Sequence, residues 1–229
     1  MNRSDLAKQL AAGLAGWHQL QTVQNLGKLS GEDTARSIAA QIINAQGRFA
    51  PATSKLPNNW GTTKKRIDIA LLGRSAKAVI WYGALEIKWP GESFDAHQVR
   101  ELIVQDAMRL SFVETDITKA KLLMVGGNSA AITKLFDTPH PTSLAAEDRR
   151  KAFNCLLSRD LASPNRNLTH AIWSNQFSQA GARTPETVFN DFNGKLKTEL
   201  LAYEEAKIGG KSVGAVFIWQ CFRTRGTVA

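Results

Sequence analysis

The stretch RIDIALLGRSAKAVIWYGALEIKW, residues 66–89, decides the fold. Residues 66–72 and 78–89 are rich in β-branched, aliphatic and aromatic side chains, a composition typical of β-strands. A Gly-Arg-Ser sequence at 73–75 supplies turn residues between the two runs, and a Pro-Gly pair at 90–91 ends the second run. The stretch therefore predicts two antiparallel strands joined as a hairpin.

Helices are predicted on both sides of this hairpin. Residues 4–20 carry an apolar stripe at helical spacing. A second helix is predicted to begin at Ser30, because Ser30 and Asp33 have the spacing of a capping box. A polar surface loop is expected over 46–63, and a further helix over 94–113 follows the hairpin.

The second half of the chain is predicted to add one buried strand, several helices and a closing strand. Residues 121–125, Lys-Leu-Leu-Met-Val, have the continuous apolar character of a strand that is buried on both faces. The remaining predicted elements are helices near 129–136, 144–160 and 185–207, the last with Thr184 as its cap, and a strand over 213–222.

These elements predict an α/β fold in which helices flank a central mixed β-sheet. We expect a single domain over residues 1–229. Its core would span about residues 30–125, and residues 126–229 would supply helical additions and the closing strand.

The composition favours a polyanionic partner. The chain has 29 Lys+Arg against 20 Asp+Glu, a formal net charge of +9, which suits nucleic acid or an anionic membrane surface. No run approaches the roughly 20 apolar residues of a spanning helix, and no signal peptide is recognisable. We therefore expect nucleic acid rather than a membrane as the partner, and a cytoplasmic location. Cys155 and Cys221 lack CxxC spacing and are expected to be reduced thiols.

Three charged residues stand in the two hairpin strands. Asp68 lies between Ile67 and Ile69, whereas Glu86 and Lys88 flank Ile87 and so share one face of their strand. An ionised group on a sheet face costs several kcal/mol unless it is paired or bound to a metal. One interpretation is an ion pair on a solvated strand. The apolar and aromatic neighbours favour a functional site.

Asp68, the hairpin, the Glu-Ile-Lys sequence at 86–88 and the following helix resemble the PD-(D/E)XK nuclease superfamily. That superfamily includes restriction endonucleases, phage exonucleases, Holliday-junction resolvases and repair nucleases. The resemblance covers about residues 30–125, somewhat under half of the chain, and it implies a restriction-endonuclease-like core. Ile67 stands where the family motif has proline, a substitution that the family tolerates widely.

Two further positions match the family more loosely. A helix before the hairpin often contributes a glutamate in this superfamily, and Glu32 is the matching residue. Polar residues recur on the helix after the motif, and Gln105 matches as a supporting residue.

The resemblance implies a catalytic site for phosphodiester hydrolysis. Mg²⁺, or Mn²⁺ in its place, prefers carboxylate and water oxygens. Its ligands would be Asp68, Glu86 and the carbonyl of Ile87, with Glu32 as an outer ligand. Lys88 would lie beside the attacking water and the phosphate.

Four residues near this motif are candidates for contact with the nucleic acid. Lys64, Lys65 and Arg66 would hold the phosphate backbone of a bound strand, although a charged hairpin edge explains them equally well. Trp60, in its polar loop, is a candidate for stacking on a base.

Three interpretations stay open at this level. The first is a metal-dependent nuclease, a hydrolase that cuts DNA in restriction, phage defence or repair. The second is a non-catalytic nucleic-acid-binding or assembly protein that retains the nuclease fold. The third is an unrelated basic α/β protein with structural carboxylates. The sequence leaves open RNA as a substrate, cutting from an end, and a homodimer or protein partner.

Overall fold

The computed structural model describes residues 2–26, 31–46, 50–55, 66–74, 79–91, 93–112, 120–137, 153, 156–169 and 194–225. Within these ranges the chain forms helices and strands in the order α1 (Arg3–Val23), α2 (Glu32–Ala45), β1 (Ala50–Lys55), β2 (Arg66–Arg74), β3 (Val79–Lys88), α3 (Ala96–Phe112), β4 (Ala120–Asn128), α4 (Ser129–Asp137), β5 (Asn165–Thr169), β6 (Gly194–Ile208) and β7 (Lys211–Arg225).

The seven strands form one mixed sheet, in the order β1-β2-β3-β4-β7-β6-β5. Strands β3 and β4 are parallel, and every other neighbouring pair is antiparallel. A parallel pair requires a crossover between its strands, and α3 supplies it. The predicted α/β fold with a central mixed sheet is confirmed, and strands from the second half of the chain continue the sheet of the first.

Helices cover both faces of the sheet. On one face, α1 and α2 pack Leu10, Leu14 and Ile43 against buried strand residues that include Ile87. On the other face, α3 and α4 pack apolar residues such as Ile103 against β3, β4 and β7. Because Ile87 faces α1 and α2, its neighbours Glu86 and Lys88 reach toward α3. No helix in the described ranges has the length and apolar character of a membrane span.

The helix predicted over 185–207 is wrong over its second part, where the chain forms β6. Leu, Lys, Glu and Ala favour a helix when propensity alone is considered. The segment instead pairs along its whole length with β7, and Leu196, Thr198 and Leu200 alternate inward as in a strand. Gly209 and Gly210 form the tight turn between the two strands with φ angles of +56° and +80°, which glycine adopts without strain. Thr184 lies outside the described residues.

Three other expectations require correction. Strand β1 lies inside the predicted loop 46–63 and pairs with β2 at the sheet edge. Helix α2 begins at Glu32 with Gly31 as its N-cap and no side-chain cap, so Asp33 is a helical residue that pairs with Arg36 instead of closing a capping box. Residues 157–160, predicted as the end of a helix, form a turn in which the Ser158 hydroxyl accepts from the Asp160 N–H.

Gly83 fixes the close approach of β3 to β4. A Cβ at this position would overlap the backbone carbonyl of Ala120, its partner in the parallel pair. We expect Gly83→Ala to lower the free energy of unfolding by roughly 1–3 kcal/mol, the usual cost of overpacking. Gly16→Ala is the matched control, because nothing lies near its added methyl group on α1, and it should raise stability by roughly 0.5–1 kcal/mol. Urea titrations measure both effects, and equal stability of the two variants would contradict the close-approach argument.

Candidate active site

The candidate site lies where β2 and β3 separate. Pairing between these strands extends from Arg74 and Val79 to Ile69 and Leu85, with one register shift between Leu71 and Leu72. Next to the last pair, Asp68 Oδ2 accepts a hydrogen bond of 2.8 Å from the Ile87 N–H. The side chain of Asp68 thus takes the place of a strand partner for Ile87, and its carboxylate is held beside Glu86.

Glu86 is a buried carboxyl group with only 2% of its surface exposed. Burial is the main cause that raises its pKa, and a hydrogen bond and electrostatic repulsion from Asp68 raise it further. Attraction by Arg109, whose Nη2 lies 3.5 Å from Glu86 Oε1, and by Lys88 offsets only part of this effect. The resulting pKa is about 8, so Glu86 carries a proton at neutral pH.

Lys88 is held mainly by α3. Its Nζ lies 2.8 Å from Oδ2 of Asp106, a residue that is 2% exposed. The same Nζ donates to the carbonyl of Ile87 at 3.2 Å and lies 3.7 Å from Oε2 of Glu32. Asp106 also pairs with Arg109, so the helix connects the two charged residues of β3.

Helix α2 approaches the same place from the other side. Arg36 Nε lies 3.4 Å from Asp68 Oδ1, and Glu32, one turn earlier, accepts a hydrogen bond from the backbone N–H of Trp89. Burial is the largest cause that raises the pKa of Glu32, whereas Lys88 and Arg36 lower it. The first turn of α2 thus supplies one acidic and one basic side chain to the site.

We call these seven residues the fork cluster: Glu32, Arg36, Asp68, Glu86, Lys88, Asp106 and Arg109. Four of them are acidic and three are basic, so the cluster carries one net negative charge when all are ionised. The proton on Glu86 removes that charge. The cluster is therefore close to neutral at pH 7, despite the basic chain around it.

A hard divalent cation fits the carboxylates of this cluster. Two adjacent carboxyl groups, Asp68 and Glu86, cannot both be ionised at low cost unless a positive charge lies between them, and the proton now fills that role. No group of three His, Cys, Asp or Glu residues in the described ranges is arranged to hold a metal. Mg²⁺ does not require such a group, because it keeps several waters and binds through one or two carboxylates. Asp68, Glu86 and the Ile87 carbonyl are oxygen donors of the kind that Mg²⁺ prefers.

The structure brings together four of the residues singled out in the sequence: Asp68, Glu86, Lys88 and Glu32. Gln105 instead donates to Glu101 along α3 at 3.4 Å, and its neighbour Asp106 contacts Lys88. Lys64, Lys65 and Trp60 lie outside the described residues, and Arg66 begins β2 with a side chain that is not described.

Sequence reasoning did not assign Arg36, Asp106 and Arg109 to the site. The sequence carried a signal for two of them, since Asp106 and Arg109 are charged residues one turn apart beside the apolar residues Ala107 and Leu110 of a largely buried helix. Arg36 stands one turn after Glu32 and looks like an ordinary surface arginine of an amphipathic helix. Only the packing of α2 against β2 brings it to Asp68.

A separate cleft of about 410 Å³ lies between α4 and the β6–β7 hairpin. Its charged residues already have partners, since Asp137 pairs with Arg159 at 3.1 Å and Glu205 accepts from the Tyr203 hydroxyl at 2.5 Å. Its size alone does not indicate chemistry. The fork cluster, with its shifted carboxyl group, is the stronger candidate for a reactive site.

Comparison of the chain with protein-family models, with curated proteins and with solved structures gives no match. The case for a function therefore depends on the residues themselves.

The raised pKa of Glu86 predicts that stability depends on pH. Unfolded Glu86 ionises near its ordinary pKa of 4.5, whereas the folded protein keeps the proton up to about pH 8. The free energy of unfolding should therefore fall as pH rises through this window, by up to roughly 1.4 kcal/mol per pH unit. Glu86→Gln, which mimics the protonated form, should flatten the dependence.

Urea titrations at several pH values in EDTA measure this slope. Glu204→Gln, at an exposed position of β6, is the matched control and should keep the slope of the parent protein. Parallel pH profiles for the parent and Glu86→Gln would show that Glu86 is ionised in the folded protein.

Proposed function

We propose that this protein is a Mg²⁺-dependent nuclease of the PD-(D/E)XK type that hydrolyses phosphodiester bonds in DNA. One observation carries the proposal: the half-buried carboxyl group of Asp68 and the buried one of Glu86 lie side by side where two strands separate, with Lys88 adjacent on β3. Structural ion pairs rarely place two acids against each other, because that arrangement requires a proton or a cation. A metal site explains why the chain keeps both.

Each residue of the fork cluster would have its own role in hydrolysis. Asp68, Glu86 and the Ile87 carbonyl would hold the cation, and Glu32 would support it from α2. The bound cation would lower the pKa of a water molecule and neutralise charge on the phosphate. Lys88 would orient that water and stabilise the negative charge that develops on the phosphate oxygens. Arg109 stabilises the ionised form of Glu86 once its proton has left.

The charge of the rest of the chain supports a nucleic-acid substrate. A net charge of +9 on a chain whose fork cluster is nearly neutral leaves the surplus on other residues, where it attracts phosphates over a distance. We favour DNA over RNA, and a role in restriction, phage defence or repair, on the family resemblance alone.

A second candidate is a nucleic-acid-binding protein without turnover, and a specific observation favours it. Each base of the cluster already has an acidic partner: Arg36 pairs with Asp68, Lys88 with Asp106 and Arg109 with Glu86. A set of buried ion pairs of this kind can hold helices to a sheet without any chemistry. The two candidates differ in their response to divalent cations.

Cleavage should depend on a divalent cation. Incubation with supercoiled plasmid, linear duplex and single-stranded DNA should give products with Mg²⁺ or Mn²⁺ and none in EDTA, because the carboxylates alone cannot activate water. Re-addition of Mg²⁺ to the EDTA sample should restore cutting. Undiminished cleavage in EDTA would remove the metal mechanism, and binding of DNA without cleavage under any condition would favour the second candidate.

Glu86→Ala and Lys88→Ala should lose activity for different reasons. Each variant should lose at least about a hundredfold in kcat, the lower range for groups with general acid–base or electrostatic roles. Calorimetry should show weaker Mg²⁺ binding in Glu86→Ala, which lacks a ligand, and retained binding in Lys88→Ala. Lys8→Ala, at an exposed position on α1, is the control and should match the parent.

A purely structural set of ion pairs predicts the opposite pattern. Each substitution would then leave a buried partner without its counter-charge and lower the Tm, without a specific change in Mg²⁺ binding. Two unstable variants with unchanged Mg²⁺ titrations would therefore overturn the nuclease assignment.

A further inference from the structure

Asp106 is the most buried acid on α3 and lies between the two charged residues of β3. Its Oδ2 lies 2.8 Å from Lys88 Nζ, and its Oδ1 pairs with Arg109, which in turn lies 3.5 Å from Glu86. Its side chain is 3% exposed, whereas that of Lys88 is 15% exposed. Among the contacts of the described residues, Asp106 therefore touches the reactive group Lys88 directly and Glu86 only through Arg109.

The lysine has three neighbours that attract it, and their strengths differ. Glu32 is farther away, at 3.7 Å, and its side chain is 37% exposed, so water weakens the attraction. The Ile87 carbonyl, at 3.2 Å, carries no net charge. Asp106 is the nearest of the three and the more buried of the two carboxylates, so it determines where the ammonium group lies.

The contact between Asp106 and Lys88 is electrostatic more than directional. Oδ2 of Asp106 is buried and accepts no well-aligned hydrogen bond from the part of the chain that the structure describes, although the ammonium group lies at contact distance. The attraction between the two charges keeps the ammonium group of Lys88 near Asp106 but leaves that group free to rotate. The ammonium group stays next to Asp106 as long as the carboxylate remains there.

A second attraction acts on the lysine from Glu86. The two side chains share one face of β3, and the ammonium group of Lys88 lowers the pKa of the Glu86 carboxyl group. Without Asp106, the ammonium group would move onto the carboxyl groups of Asp68 and Glu86 and compete with a cation for them. Asp106 is thus suited to keep the ammonium group of Lys88 away from the carboxyl groups of Asp68 and Glu86.

We propose that Asp106 is a positioning residue that holds the Lys88 ammonium group against its own carboxylate and so keeps Asp68 and Glu86 free to bind a divalent cation. This role depends on the proposed nuclease function. It predicts that Asp106 acts on cation binding through Lys88 and has little effect of its own.

A double-mutant cycle separates this role from a general electrostatic effect. The parent, Asp106→Asn, Lys88→Ala and the double variant are titrated with Mg²⁺ alone by calorimetry. If Asp106 acts only as a charge near the metal, its replacement weakens Mg²⁺ binding equally in both backgrounds. If it positions Lys88, its replacement should weaken binding at least about tenfold more in the parent than in Lys88→Ala, because the competing ammonium group exists only in the parent. Equal losses in the two backgrounds would overturn the proposal.

A second variant covers the case in which Asp106→Asn does not fold. Asp106→Glu keeps the charge but moves the carboxylate by one methylene group. Misplacement by about 1 Å can cost up to roughly a hundredfold in rate, so kcat should fall at least tenfold while the KM for DNA and the Tm stay near the parent values. A kcat equal to that of the parent would contradict a positioning role. Asp137→Asn, an exposed acid on α4, is the charge control and should leave kcat and Mg²⁺ affinity unchanged.

The parent protein is assayed first, so that the two proposals can fail separately. A parent that neither cleaves DNA nor binds Mg²⁺ overturns the proposed nuclease and this inference with it. A parent that cleaves DNA, together with additive effects in the cycle, overturns the role of Asp106 alone and leaves the nuclease proposal intact.

Discussion

The pairs Arg109–Glu86 and Arg36–Asp68 allow the sheet to bury carboxyl groups at the point where β2 and β3 separate. Each pair joins a strand to a different helix, so α3 and α2 are fixed on opposite sides of the same two strands. A buried ion pair adds little net stability, because desolvation costs about as much as the attraction returns. Loss of one partner, however, leaves the remaining side chain with fewer counter-charges around it. The pairs therefore constrain the position of both helices more than they stabilise the fold.

The parallel pairing of β3 with β4 brings charged residues of α3 next to those of β3. A parallel neighbour requires the chain to cross the sheet, and α3 makes that crossing directly above β3 and β4. The crossover brings Asp106 over Lys88, although 18 residues separate them in sequence. Close packing of the two strands depends on Gly83, because any side chain there would meet the Ala120 backbone. The spacing of β3 and β4, the two strands that α3 crosses, thus depends on residues outside the fork cluster.

The sequence predicted the elements with clear periodicity and missed those that only tertiary pairing determines. The hairpin, α3 and the buried strand β4 follow from local pattern, and Asp68, Glu86 and Lys88 stand out as charges in apolar runs. Strand β6 was predicted as a helix because its Leu, Lys, Glu and Ala residues have helical propensity, which pairing with β7 overrides. Arg36 and Asp106 could not be assigned for a related reason. Their partners lie on other elements, and local spacing carries no information about contacts between elements.

The net charge of the fork cluster differs from that of the whole chain, and the two charges would affect a bound polyanion differently. The cluster is nearly neutral, so the surplus of +9 lies elsewhere and would attract a polyanion without directing it to the fork. A phosphate that reaches the fork meets the carboxyl groups of Asp68 and Glu86, and the basic side chains beside them are already paired with acids. Without further positive charge, the fork offers a phosphodiester no net attraction. In the proposed nuclease, affinity for nucleic acid and reactivity at the fork would therefore be separable, and only reactivity would require a cation between the two carboxylates.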